Sequence, residues 1–144
     1  ALYPATPDFL ESVEQEVRHQ ARRLRDHPCL ALWCGNNEDI GALGWYPVSR
    51  ANRDRYLVDY DRLNEGVIGK TLDECDPTRS FWPSSPCGGR GDYSDNWHDD
   101  SRGDMHYWSV WHEGKPFSAY REVAAELKAV RHAVGSADRG GSDA

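Results

Sequence analysis

Apolar residues recur at helical spacing in three parts of the chain. This periodicity predicts amphipathic helices over residues 8–26, 56–75 and 116–134. Pro7 suits the first turn of the first helix, and Pro28 would end it. The apolar positions of that helix, with charged residues between them, are Phe9, Val13, Val17, Ala21 and Leu24.

Three shorter runs, residues 29–35, 80–86 and 105–111, are predicted to be strands. The first is apolar at odd and even positions alike, as expected for a strand buried on both faces of a parallel sheet. The third is rich in aromatic and β-branched residues. Helices and strands therefore alternate as α-β-α-β-β-α, which indicates an α/β fold with a parallel sheet.

The first predicted strand ends abruptly in polar residues, Asn36-Asn37-Glu38. Ligands of α/β folds bind just beyond the carboxyl ends of such strands, so this stretch is a candidate site. Gly35-Asn36-Asn37 is equally typical of an ordinary turn, and the pattern alone does not decide between the two. The loop that follows, up to about residue 52, carries the pair Trp45-Tyr46, which could wall a pocket or pack on a rim.

Charge and composition narrow the possible partners. The net charge of −7 disfavours nucleic acid, whose binding surfaces are basic, and no stretch is apolar for the length of a membrane span. Four cysteines without metal-site spacing predict buried, reduced thiols, and with no signal-peptide pattern at the start we expect a cytoplasmic location. The loop over residues 87–104 and the two residues after it hold a group of acidic and imidazole side chains whose spacing fits no standard metal site, so no metal is expected. That group is Asp95, His98, Asp99, Asp100, Asp104 and His106.

Several short segments, taken in order, resemble one enzyme family. They are His27-Pro-Cys-Leu-Ala-Leu32, Trp33-Cys-Gly-Asn-Asn-Glu38, Asp76-Pro-Thr-Arg79, Trp82-Pro-Ser-Ser-Pro86, Gly103-Asp-Met-His-Tyr-Trp108, Val110-Trp-His112 and Gly114-Lys-Pro-Phe117. Their order is similar to that in β-mannosidases of glycoside hydrolase family 2, and the resemblance covers roughly residues 1–123. The resemblance implies an α/β fold that is part of a (β/α)8 TIM barrel, about strands four to six. A whole barrel needs about 250 residues, more than the 144 present.

The resemblance also implies roles for single residues. Glu38 would be the general acid/base of a retaining exo-β-mannosidase, which removes terminal β-D-mannose from an oligosaccharide without a cofactor. Asn37 would bind the 2-hydroxyl of that mannose, a contact that strengthens in the transition state. Other substrate-binding candidates, on predicted loops or strand ends at the same side as Glu38, are Trp45, Trp97, Trp111 and His112.

The resemblance stops before the second catalytic carboxylate. In the family, a strand bearing Ser-Glu-Phe-Gly supplies the nucleophile, and the 144 residues contain no such segment. Residues 124–144 are instead predicted to be a divergent helix end and a disordered tail, outside the barrel domain of residues 1–123. The chain is therefore expected to be an inactive fragment of a β-mannosidase. The alternatives are a non-catalytic or degenerate carbohydrate-binding fragment, and a fragment of another family 2 glycosidase of the β-galactosidase or β-glucuronidase type.

Overall fold

The structure is a computed structural model that describes residues 3–97, 99 and 101–123. Residue contacts divide the chain into two compact units, Ala1–His106 and Tyr107–Ala144. The first unit is mostly helical around two short strands. Its elements in chain order are α1 (Pro7–Leu24), β1 (Trp33–Cys34), α2 (Asp39–Ala42), α3 (Pro47–Ala51), α4 (Arg53–Tyr60), a π-helix (Asp61–Gly69), α5 (Lys70–Cys75) and β2 (Phe81–Trp82).

The first predicted helix is confirmed as α1. Pro7 opens it, Asp8 lies in its positive first turn, and Arg22 and Arg23 lie in its negative last turn. Ala21 is fully buried where α1 packs against α5 and the π-helix. One core cluster forms at this contact, from Ala21, Leu72, Cys75 and Phe81, with Val17, Trp33 and Ile68 packed against it.

The second predicted helix is also confirmed, and it begins at Arg53 rather than at residue 56. α4, the π-helix and α5 follow one another without a break. π-Helical turns are rare and hold an extra residue per turn. Here the widened stretch buries the amide of Asn64, which donates to Tyr60 O at 3.1 Å and accepts from the Asn36 amide at 2.9 Å. The π-helix thereby holds the chain that follows β1.

β1 and β2 pair in parallel, with Trp33 opposite Phe81 and Cys34 opposite Trp82. Parallel pairing agrees with the sequence, but the predicted lengths of seven residues each are wrong. Pro28, Pro83 and Pro86 cannot donate a backbone hydrogen bond, so pairing is interrupted around them. In the described part of the chain, one further parallel bridge joins Asn37 to Ser85.

The expectation that the first strand is buried on both faces is wrong. Leu32 is 49% exposed, and Cys29 and Cys34 are also exposed. Within the described residues β1 has only β2 as a neighbour, so its second edge is not covered by a strand. The prediction of buried thiols therefore holds only for Cys75 and Cys87, and all four cysteines are free.

The chain that follows β1 is less irregular than predicted. It holds two short helices, α2 and α3, and Pro47 opens the second of these. A second core cluster lies beneath them, formed by Ile40, Leu43, Tyr60 and Cys87 with Tyr56, Leu57, Trp82 and Tyr93 packed against it.

The loop after β2 is ordered by hydrogen bonds from its own side chains. Asp92, Asp95 and Asp99 each accept a bond from the backbone N–H two residues on, which closes three tight turns. The Arg102 guanidinium contacts Asp92 and Asp99 and joins two of these turns. Among the described residues no three His, Cys, Asp or Glu side chains gather as a metal site. His98 and Asp100 lie outside the described residues.

The predicted third strand, residues 105–111, is wrong. Ser109–His112 form a short helix, α6, and Trp108 already has helical backbone angles of φ −94° and ψ −2°. The described chain is helical again over residues 119–123, in agreement with the start of the predicted third helix. The remainder of that helix and the predicted tail, residues 124–144, lie outside the described residues. No helix in the described part is long and apolar enough to cross a membrane.

Candidate active site

Glu38 follows β1 in an unusual backbone conformation. Its φ is 67° and its ψ 9°, and among the described non-glycine residues no other has a positive φ. Left-handed backbone costs such a residue about 1–2 kcal/mol, so the surrounding structure must hold it there. Glu38 N donates to Ser85 O at 2.8 Å, and Glu38 O accepts from Ala42 N at 2.8 Å. The strained residue is thus tied to the chain after β2 on one side and to α2 on the other.

The neighbouring Asn36 is a structural anchor. Its amide nitrogen donates to Asn64 Oδ1 and to Pro83 O, both at 2.9 Å. Its oxygen accepts from Asp39 N at 3.1 Å and from Ser84 Oγ at 2.6 Å. Two donated and two accepted bonds use the whole capacity of a primary amide. The sequence offered no signal that separates this residue from Asn37, because both are amides after a strand.

The Glu38 carboxyl contacts an imidazole. Glu38 Oε1 lies 2.7 Å from His106 Nδ1, and the side chains are 15% and 23% exposed, so solvent still reaches the pair. The other ring nitrogen, His106 Nε2, lies 3.0 Å from Ser85 Oγ. From the sequence, His106 belongs only to the acidic and imidazole group whose spacing fits no standard metal site. Its place in Gly103-Asp-Met-His-Tyr-Trp108 is the signal that could have indicated a role at the site.

Asp104 stabilises the arrangement around Ser85 by accepting three hydrogen bonds. Its Oδ1 accepts from Trp82 Nε1 at 2.7 Å and from Cys87 N at 3.0 Å, and its Oδ2 accepts from Ser85 Oγ at 2.5 Å. The approach requires Gly103, whose φ is 66° and where an added Cβ would lie 2.0 Å from Cys87 O. The far end of the long loop is therefore fixed against the chain that follows β2.

Aromatic rings extend the site away from Glu38. The Trp97 ring contacts His106 with centroids 5.8 Å apart, and it meets Trp45 edge to face at 5.6 Å. Trp45 is about half exposed. The two indoles are thereby linked through His106 to the Glu38 carboxyl, and an indole face is a surface on which the C–H face of a sugar ring can pack.

Asp39 is the other carboxyl beside Glu38, and it is a poor candidate for proton transfer to a substrate. Burial raises the pKa of Asp39 above its ordinary value. The residue is only 5% exposed, however, so a glycosidic oxygen cannot reach it. Glu38 is the carboxyl that solvent and a ligand can approach.

An open cavity of about 370 Å³ adjoins the same strand end. Asn37 contributes to its wall, whereas Glu38, Trp45 and Trp97 do not belong to the described lining. The other residues around it come from the start of the chain, α1, the end of β1 and the π-helix: Tyr3, Phe9, Val13, Gly35, Asn36, Leu63, Asn64 and Ile68.

Comparisons with known proteins bear on this arrangement. No family profile matches the chain. Curated β-mannosidases do match: the Bos taurus protein is 40% identical over 115 residues, which are 75% of this chain and 13% of that protein. β-Mannosidase B of Aspergillus clavatus is 35% identical over 117 residues, again 13% of its length. The crystal structure of the β-D-mannosidase of Dictyoglomus thermophilum superposes with a TM-score of 0.57 and 32% identity, over 83% of this chain and 14% of that one.

The chain matches one segment of the β-mannosidases. It spans about an eighth of the length of these relatives, so most of a β-mannosidase has no counterpart in it. Within this β-mannosidase segment, the predicted residues Asn37, Glu38, Trp45 and Trp97 all lie in the first unit, and His106 connects Glu38 with Trp97.

Trp111 and His112 belong to the second unit of this β-mannosidase segment. Trp111 is 67% exposed and meets Phe117 edge to face at 6.3 Å. The His112 ring lies against Trp108, with centroids 4.6 Å apart. These contacts are within the second unit, so the predicted sugar-binding roles of Trp111 and His112 stay predictions.

Proposed function

We propose that this chain carries the acid/base half of a retaining β-mannosidase active site, with Glu38 as the general acid/base. The observation that supports it most is the Glu38 carboxyl just beyond β1, on strained backbone and hydrogen-bonded to His106. The His106 ring in turn contacts the Trp97 indole, which meets Trp45. The relatives' name supplies the substrate class, a β-mannoside. Asn37 is proposed to bind the sugar 2-hydroxyl, and the two indoles to pack on the sugar ring.

The same proposal includes the fold of the complete enzyme. β1 and β2 are parallel, they are joined through helices, and polar residues follow β1, as in neighbouring strands of a (β/α)8 barrel. A closed barrel pairs each strand on both sides. We infer that β1 and β2 are two adjacent strands of such a barrel. The strand that the sequence predicts at residues 105–111 is not part of this proposal, because the structure has the α6 helix there.

A retaining glycosidase needs a second carboxylate about 5–5.5 Å from the acid/base. The 144 residues contain no Ser-Glu-Phe-Gly segment to supply it. This observation favours a second candidate function for the chain by itself, a non-catalytic sugar-binding fragment. The purified 144-residue chain should therefore not hydrolyse an aryl β-mannoside. Hydrolysis that disappears in Glu38→Gln would show that another carboxylate completes the site.

The acid/base role is tested in a chimera. Residues 1–123 replace the matching segment of the Dictyoglomus thermophilum β-mannosidase, and the chimera is compared with its Glu38→Gln variant. General-acid help contributes about 10²–10⁴-fold, and it matters least when the leaving group is already good. We expect a loss in that range for an alkyl β-mannoside, and little loss in the first step for a dinitrophenyl β-mannoside.

Glu16→Gln is the matched control, because Glu16 is an exposed α1 carboxyl whose hydrogen bond within the described residues is from the nearby Gln20 side chain, at 2.7 Å. It should leave both substrates unaffected. Equal losses on the two substrates in Glu38→Gln would contradict the assignment, as would a folded chimera without any activity.

A further inference from the structure

Ser85 lies between a carboxylate and an imidazole, and its single hydroxyl proton can serve only one of them. Ser85 Oγ is 2.5 Å from Asp104 Oδ2 and 3.0 Å from His106 Nε2. The other carboxyl oxygen of Asp104 accepts from Trp82 Nε1 and Cys87 N, two groups that can only donate. Both carboxylate oxygens of Asp104 therefore act as acceptors. Asp104 Oδ2 is closer to Ser85 Oγ than His106 Nε2 is, so the Ser85 hydroxyl donates its proton to Asp104.

This arrangement determines the state of the imidazole. Ser85 Oγ has no second proton to give, so His106 Nε2 must donate to it. The tautomer with its proton on Nε2 leaves Nδ1 facing Glu38 Oε1 at 2.7 Å. A bare nitrogen lone pair and a carboxylate oxygen would repel each other at this distance, so one proton must lie between them.

We propose that His106 is a positioning residue that keeps one shared proton on Glu38, with Ser85 and Asp104 fixing the ring tautomer. The inference rests on the proposed acid/base role of Glu38 and extends it. The shared proton is present either as a carboxyl group beside a neutral imidazole or as a carboxylate beside an imidazolium. In both cases the ring holds Oε1. The shared proton is the one that Glu38 would give to a glycosidic oxygen, so the contact between Oε1 and Nδ1 must open for that transfer, and an attacking water molecule returns a proton to the carboxylate in the second step.

The order of contacts from Ser85 through His106 to Glu38 also resembles a serine–histidine–acid triad. The positions of the protons exclude nucleophilic attack by the serine. In a triad the serine donates to the imidazole, which then takes the proton as a base. Here the Ser85 proton is given to Asp104, and a carboxylate 2.5 Å from Oγ would oppose an alkoxide there. Ser85 orients the ring and is not a nucleophile.

The test is NMR of the 144-residue chain with ¹⁵N-labelled histidine, read at the two ring nitrogens of His106. Wild type and Glu38→Gln should both carry a proton on Nε2, because Ser85 is intact and a glutamine amide can donate to Nδ1. Only wild type should show a strongly deshielded proton in the hydrogen bond at Nδ1. In Ser85→Ala, the tautomer with its proton on Nδ1 should increase several-fold, because Nε2 loses its acceptor.

Two controls keep the result specific. Ser101→Ala removes a loop hydroxyl that donates to Asp99 at 2.5 Å, and it should leave the His106 signals unchanged. The His112 signals, from a ring packed on Trp108, should be the same in every variant. A wild-type His106 with its proton on Nδ1 alone would overturn the proposal. So would averaged tautomers that do not respond to Ser85→Ala, which is also what an unfolded chain would give. Glu38 is judged separately by the kinetics of the chimera, so each proposal can fail alone.

Discussion

Two segments with similar sequence patterns take opposite conformations in this chain. Residues 29–38 and residues 105–112 are each rich in apolar and aromatic side chains, and each ends in polar groups. The first contains a strand, with Glu38 just beyond it. The second forms the α6 helix and leaves Trp111 exposed.

The difference lies in the hydrogen-bond partners available to the backbone. In the first segment Trp33 N donates to Ser80 O at 3.0 Å and Gly35 N donates to Trp82 O at 2.8 Å. The chain at β2 therefore supplies acceptors for the backbone N–H groups of this segment. In the second, Trp111 N and His112 N both donate to Trp108 O, at 3.0 and 2.8 Å. β-Propensity depends on a neighbour that offers a ladder and a face to pack on. Without such a neighbour, a segment of strand-like composition makes its backbone hydrogen bonds within itself, here as the α6 helix.

The largest effect should come from separating β1 from β2. A Cβ at Gly35 would lie 2.4 Å from Pro83 O and 3.2 Å from Phe81 Cζ, and the first of these is a backbone atom that cannot move aside easily. We expect Gly35→Val to lower the free energy of unfolding by about 3 kcal/mol, measured by urea titration followed by tryptophan fluorescence.

Gly66→Ala is the matched control for this change. Among the described residues its Cβ would meet Asp61 O at 3.4 Å, an ordinary contact distance, and alanine favours a helix over glycine by up to about 1 kcal/mol. Stability should be unchanged or slightly raised. If Gly35→Val were as stable as this control, strand pairing would not be what separates the two segments.

The sequence predicts those parts of the fold that depend on local interactions, and it fails where a distant partner decides the structure. α1 and the helix from Arg53 to Cys75 were predictable because their apolar periodicity is local information. The two strands were predicted at the right places but too long, since their length depends on a partner distant in the chain. Residues 105–111 could not be predicted by composition, because what decides their structure is which strand lies beside them.

The site shows the same limit. Glu38, Asn37 and the two indoles are predicted from the family resemblance, and their roles stay predictions. The hydrogen bonds that orient Glu38 come from His106 and Ser85, and these are 68 and 47 residues further along the chain. Only the fold brings them together. The positive φ of Glu38 is likewise a tertiary property that no local pattern indicates.

A smaller effect is expected from the hydrogen bond that anchors β1 through the Trp33 side chain. Trp33 Nε1 donates to Asp76 Oδ2 at 3.0 Å, and Arg79 Nη1 donates to the same oxygen at 2.7 Å. Burial opposes ionisation, but the bonds from Trp33, Arg79 and Thr78 together hold the pKa of Asp76 below its ordinary value.

A lowered pKa in the folded state means that ionised Asp76 stabilises the fold. This contribution is present above the unfolded pKa of about 3.9, and it is lost as the pH falls through the lower folded value. Asp76→Asn should therefore reduce the urea midpoint at pH 7, with a smaller difference from wild type near pH 3. Asp26→Asn, at a side chain that is 88% exposed, should change neither midpoint. An equal deficit at both pH values would mean that Asp76 acts by packing and not by charge.

The smallest effect is expected in the second segment. Trp111 is 67% exposed, and its described ring contact is with Phe117, itself exposed. Exposed side chains contribute little to burial, so Trp111→Ala should change the free energy of unfolding by less than about 0.5 kcal/mol. The same substitution at Trp33, which packs on the first core cluster and donates to Asp76, should cost about 2 kcal/mol. Urea titration of both variants gives the comparison directly. A Trp111→Ala loss as large as that at Trp33 would mean that the aromatic second segment is buried in solution. If the small loss is found, Trp111→Ala can be used in the chimera to test sugar binding without a change in stability.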